Sequence, residues 1–276
     1  MVAALSVGTL AGLGIVGCAA GFVDAIAGGG GLLTVPALLW AGLPPQLALG
    51  TNKLQSSCGT ALATWRYRQA GLLELPAMGW TASLTFVSSV VGALAVNRLD
   101  PAALQKLVPI LLLIIVAMLA IRRDFGVKPG HARMPPQLFG LFFGILLGSY
   151  DGFFGPGTGT FWTIGCISLL GLDFLRATGY TKVMNLASNL AAVLVFGWHH
   201  AIDWRAGLIM AGGQLVGARL GSGLVVRKGS RLIRPLFMAV VVLLAGRLAW
   251  KAYHEGMTSS SSSDIRSAPK SAPAHP

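Results

Sequence analysis

Gly21-Phe-Val-Asp24-Ala-Ile-Ala-Gly28-Gly-Gly-Gly31 and Gly148-Ser-Tyr-Asp151-Gly-Phe-Phe-Gly155-Pro-Gly-Thr-Gly159 make the same statement twice: an acidic residue four positions before a glycine cluster, inside apolar sequence. Asp24 and Asp151 lie 127 residues apart, and a second matching pair, Gly50-Thr-Asn-Lys53 and Gly179-Tyr-Thr-Lys182, sets two lysines 129 apart. The chain is thus an internal duplication. Apolar segments interrupted by glycine at matching points of two halves are the best sequence pointer to a transporter's binding site, so the expectation is a membrane carrier.

Composition agrees. Hydrophobic residues fill 54% of 276 positions and charged residues 11%, and mean hydropathy is +0.69; so little polar surface cannot cover a soluble globule. Runs such as Leu104 to Ile121 and Leu232 to Trp250 approach the roughly 20 residues that cross a bilayer as a helix. They are too long and too evenly apolar for barrel strands. The net charge of +12 does not indicate nucleic acid, because Lys and Arg cluster in short connections between apolar runs and read as topology signals. Cys18, Cys58 and Cys166 stand singly, with no disulfide or zinc spacing. Ile15-Val-Gly-Cys18 has the look of a lipoprotein box, but no basic residue precedes it and cleavage would remove the first motif copy.

The expected fold is an all-α membrane protein, a polytopic bundle of two inverted repeats with eight long transmembrane helices and two short broken or re-entrant ones. Apolar pieces fall at about 5–27, 31–43, 50–66, 76–97 and 103–122, then 137–152, 159–171, 178–198, 205–222 and 231–252. The second and seventh are too short to span. Residues 1–125 form the first repeat, 126–136 a basic cytoplasmic linker rich in helix breakers, 137–256 the second repeat and 257–276 a disordered Ser/Pro/Ala tail. Residues 122–133 and 227–234 are both strongly basic, yet the first-half counterpart of the latter, Asn97-Arg-Leu-Asp100, is neutral. Matching positions then face opposite sides, which implies inverted repeats with both termini periplasmic.

Four glycines at Gly28, Gly29, Gly30 and Gly31 stop the first helix, and Gly155, Gly157 and Gly159 with Pro156 and Thr158 stop the corresponding one. Each half-helix that restarts after a break offers free N–H groups and a positive dipole end, an anion site. Lys53, with Thr51, Asn52 and Ser56, and Lys182, with Asn185 and Asn189, add a cation and hydrogen-bonding groups to one helical face in each half. An ammonium at membrane depth marks a functional site unless it snorkels from a helix end. Asp24 and Asp151 have three available roles: pairing with the lysines, carrying protons, or capping the broken backbone. His199-His200 with Asp203 has the composition of a metal site but reads as an outer loop beside Trp198 and Trp204. No nucleophile elbow or phosphate loop points to an enzyme, and no cofactor or metal is expected.

At these residues the chain resembles the TauE/SafE family of sulfite exporters and toluenesulfonate-uptake permeases. The likeness lies in Phe22 to Pro36, Ala48 to Lys53, Tyr150 to Gly159 and Thr178 to Asn189, and extends over about residues 5 to 253. It implies a multi-pass permease of the bacterial inner membrane for sulfur-containing anions such as sulfite, sulfoacetate or other organosulfonates, driven by the proton-motive force. It carries onto Asp24, Thr51, Asn52, Lys53, Asp151, Lys182, Asn185 and Asn189. The expected partners are this anion and membrane lipid, a homodimer being compatible with the sequence. A passive anion channel, or a cation carrier with Asp24 and Asp151 as ligands, are the alternative readings.

Overall fold

In the computed structural model, residues 5–121 and 131–227 are described, and those residues are helices joined by short turns. The apolar piece at 231–252 and the tail lie outside them. Nine helices occur among the described residues: α1 (Val7–Ala27), α2 (Gly31–Trp40), α3 (Pro45–Gln69), α4 (Leu75–Asn97), α5 (Pro101–Ile121), α6 (Pro136–Phe153), α7 (Thr158–Leu169), α8 (Phe174–Trp198) and α9 (Trp204–Arg227). Two begin earlier than apolarity suggests. Pro45 fits the first turn of α3, where no amide donor is needed. Asp173 caps α8 by accepting from Leu175 N–H and Arg176 N–H. Lys53 and Lys182 therefore do not begin their helices; each lies two turns inside one.

The glycine breaks reverse the chain. α1 ends at Gly28, whose φ of 72° lies in the left-handed region. α2 then folds back along α1: Gly30 lies against Ala20 and Asp24, and Leu38 and Leu43 cluster with Leu13. In the second half α7 returns along α6, with Phe161 against Tyr150 and Trp162 against Phe139. Arg133 N–H, just before α6, donates to Leu169 O at the end of α7, 2.8 Å away. Each short helix thus folds back on the helix before it, and each pair forms a hairpin whose tip is a glycine break.

Small residues then let helices approach at backbone distance. α1 runs beside α9 with Gly17 on Met210, Gly21 on Gln214 and Gly217 on Cys18 and Phe22; α6 runs beside α4 with Gly144 on Leu84, Gly148 on Thr85 and Gly152 on Ser89. In both pairs residue numbers rise together, so the helices are parallel, and any Cβ at these glycines would force them apart. α4 and α8 are also parallel, with Thr85 facing Met184 and Ser89 donating to Ser188 O. α3 and α8 are antiparallel: Gly50 meets Phe196 and Lys53 meets Asn189.

The outer surface is apolar. Val7, Ile15, Val87, Phe142, Leu146, Leu194 and Leu208 are all exposed, more than a soluble monomer leaves in water. α1, α4 and α9 are long and apolar enough to span a bilayer. α3 and α8 owe their polarity to residues turned inward, among them Thr51, Asn52, Lys53, Lys182 and Asn189. The molecule is a helical membrane protein.

Candidate functional site

The hairpin tips meet. A Cβ added at Gly28 would sit 2.5 Å from Gly159 Cα, and one at Gly31 would sit 3.2 Å from Pro156 Cα. Glycine at Gly28 and Gly159 lets the two breaks touch through their main chains. Gly155 and Gly157 also hold φ of 99° and 83°, where an L side chain is strained. Tyr150 Oη braces the second break by donating to Pro156 O at 2.7 Å, and Tyr67 Oη donates to Ala25 O at 2.8 Å beside the first.

Two buried ion pairs flank this meeting point, and they cross between the halves. Lys53, from α3, donates to Asp151 Oδ1 of α6 at 2.7 Å; Lys182, from α8, lies 3.3 Å from Asp24 Oδ2 of α1. Lys53 is 1% exposed and Lys182 0%, so neither reaches an interface by snorkelling. Lys182 also donates to Asp24 O at the C-terminal end of α1, where the helix dipole favours a cation.

The carboxylates are held unequally. Asp151 has Lys53 on one oxygen, with Thr158 Oγ1 at 3.2 Å, and the Ser188 hydroxyl donates to the other. The Asp24 carboxylate is met by Lys182. The difference is written in the sequence, because Gly59 holds the position in α3 that Ser188 holds in α8.

Between the tips and the pairs lies a cavity of about 20 Å³ lined by Asp24, Gly28, Gly31, Asn52, Lys53, Ser56, Asp151, Gly155, Asn185 and Asn189. That is room for about one water molecule. All ten were singled out from sequence. Asn189 Oδ1 accepts from Lys53 at 3.2 Å, while buried Asn185 Oδ1 has no partner among the described residues, a hydrogen-bonding capacity left for an occupant.

Other expected residues stand behind this wall. Thr51 Oγ1 accepts from Asp203 N–H at 2.9 Å and ties α3 to the turn before α9. Gly159 packs on Gly28, Thr158 supports Asp151, Lys182 backs Asp24, and Gly29, Gly30 and Gly157 shape the breaks. Sequence reasoning missed Ser188, Thr34 and Gln55. Thr34 Oγ1 and Gln55 Nε2 both donate to Asn52 Oδ1, which fixes that side chain. Ser188, one residue before Asn189 and three after Asn185, could have been found from its place beside them. His199 Nδ1 lies 2.9 Å from Val195 O at the end of α8, and among the described residues no three His, Cys, Asp or Glu side chains gather as a metal site.

Residues 13–248 match the sulfite exporter TauE/SafE family. The chain belongs to that family. Like this TauE/SafE chain, its curated relatives are membrane proteins by name. A probable membrane transporter protein of Sinorhizobium sp. is 41% identical over 229 residues, covering 83% of this chain and 88% of the relative. One from Haemophilus influenzae is 38% identical over 246 residues, with 89% and 96% covered. The probable membrane transporter protein YfcA of Escherichia coli K12 is 38% identical over 234 residues, with 85% and 87% covered. No solved structure matches. The TauE/SafE chain is a membrane transporter, not an enzyme.

Proposed function

We propose that this protein is a secondary carrier of small sulfur-containing anions, sulfite or an organosulfonate such as sulfoacetate, coupled to the proton-motive force. The carrying observation is the pair of crossed lysine–aspartate bridges at the junction of two helix N-termini. An oxyanion entering the chamber competes with the carboxylates for both ammonium groups and meets the positive dipole ends of α2 and α7. A carboxylate released in a dry site is costly unless it takes a proton, so anion and proton move together. Asp24, which among the described residues is met by Lys182 where Asp151 is met by Lys53, Thr158 and Ser188, is the carboxylate released first.

The relative directions of the helices support inverted repeats: α1, α3 and α9 point one way, α4, α6 and α8 the other. With α2 and α7 read as re-entrant, α3, α4 and α5 are the three crossings of the first repeat. The end where α3 finishes carries Arg66, Arg68, Arg133, Arg176, Arg219 and Arg227 against Glu74 and Asp173; the other carries Arg98, Lys106 and Arg205 against Asp100 and Asp203. The first is read as cytoplasmic, which leaves both termini periplasmic in a bacterial inner membrane. Exposed Trp65 and Trp80 toward the first end, and Trp40, Trp198 and Trp204 toward the other, fit interfacial belts.

A chamber closed to about one water argues for alternating access by rocking of the repeats over an open channel. Both carboxylates already hold ammonium groups, which argues against a cation carrier. In proteoliposomes, radiolabelled sulfite or sulfoacetate uptake should saturate, rise with an imposed pH gradient and vanish in Lys53→Ala and Lys182→Ala. Wild-type uptake by both variants would refute the proposal.

A further inference from the structure

A second concentration of positive charge lies away from the chamber. At the end where α3 and α9 finish, Arg66, Arg219, Leu220, Gly223, Leu224 and Arg227 line an open groove of about 380 Å³. Arg66 Nη1 donates to Arg219 O at 3.1 Å, which orients its guanidinium along α9. A Cβ at Gly223 would come within 3.4 Å of Arg66 Nη2, so glycine keeps the wall low beside that side chain. No carboxylate lines the groove, and none of the three arginines is ion-paired among the described residues.

The repeat does not explain two of the three. The first-half position matching Arg219 is Val90 and the second-half position matching Arg66 is Val195, while Arg227 matches Arg98 at the opposite end. The cluster therefore belongs to one end of the molecule and not to the duplicated machinery. Its rim is apolar and faces outward: Leu220 is 59% exposed and Trp65, beside Arg66, 53%. A guanidinium fork suits phosphate oxygens, and an apolar rim suits an acyl chain.

We infer that this groove is a binding site for an anionic phospholipid, its phosphate held by Arg66, Arg219 and Arg227 and its acyl chains lying along Leu220. A free oxyanion shares the phosphate chemistry but leaves the apolar rim without a role. The inference requires only that the chain sits in a bilayer, and stands apart from the transport proposal.

The test uses the full chain in neutral detergent, with phosphatidylglycerol as probe and phosphatidylcholine and inorganic phosphate as controls. Adducts are read by native mass spectrometry and stability by thermal melting. Phosphatidylglycerol should bind and raise Tm, and neither control should. At the usual contribution of one surface cation, Arg66→Gln/Arg219→Gln/Arg227→Gln should bind about a hundredfold more weakly, and Arg227→Gln alone about fivefold. Arg98→Gln/Arg205→Gln, at the opposite end, should bind as wild type. Equal phosphatidylglycerol binding by the wild type and Arg227→Gln, or an equal stabilisation by inorganic phosphate, would overturn the assignment.

Discussion

Crossing of the ion pairs predicts a specific pattern of energetic coupling. Lys53→Met leaves Asp151 buried, its 2.7 Å bridge replaced only by the Ser188 and Thr158 hydroxyls. Orphaning one member of a buried pair costs about 3–5 kcal/mol, whereas replacing both by apolar residues of similar volume is often close to neutral. Lys53→Met/Asp151→Leu should therefore lose less than the sum of the single changes, a coupling on the order of 2–3 kcal/mol against Lys53→Met and Asp151→Leu alone. Lys53→Met/Asp24→Leu removes one group from each bridge and leaves Asp151 and Lys182 to be accommodated. Its two losses should come closer to adding, with a coupling at least about 1 kcal/mol smaller. The mirror combinations, Lys182 with Asp24 and Lys182 with Asp151, should repeat the pattern. SDS-driven unfolding in mixed micelles, read by tryptophan fluorescence, supplies the free energies. Stronger coupling of Lys53 to Asp24 than to Asp151 would refute the crossed arrangement.

Other outcomes follow from the same geometry. Gly159→Ala, 2.5 Å from Gly28 Cα, should part the hairpin tips and abolish uptake, measured as initial rate in proteoliposomes. Gly212→Ala, with open space at its Cβ, should keep wild-type uptake and melting. Tyr67→Phe removes a buried hydrogen bond to Ala25 O and should cost about 1–2 kcal/mol in the same unfolding assay. Ser188→Ala strips one donor from Asp151 and should lower the initial rate of uptake, whereas Thr51→Ser, which keeps the hydroxyl that accepts from Asp203 N–H, should leave the rate in place.

Much of this was legible in the sequence because duplication repeats its own signal. One Asp beside glycines is weak, but Asp24 and Asp151 at a fixed spacing from Lys53 and Lys182 located every residue lining the chamber. The direction of α2 and α7 was not legible. A dozen apolar residues after a glycine break read alike whether they continue across or fold back, and Leu38 packing on Leu13 decides it. Nor was the partner of each lysine, since the Asp24–Lys53 and Asp24–Lys182 pairings are chemically equal until α3 and α8 cross antiparallel. The helix starts at Pro45 and Phe174 were hidden because caps and proline, not apolarity, set them. Ser188 was passed over as one small residue among several in a helix.

The central claim is that an anion takes the lysines from the carboxylates inside the chamber between the two helix breaks. A cryo-electron microscopy structure of the full chain with bound sulfoacetate tests it most directly. The account predicts sulfonate density between Gly28 and Gly155, within hydrogen-bond reach of both Lys53 Nζ and Lys182 Nζ, with at least one of the two bridges opened. Sulfonate bound elsewhere, with Lys53–Asp151 and Lys182–Asp24 both intact, would contradict it.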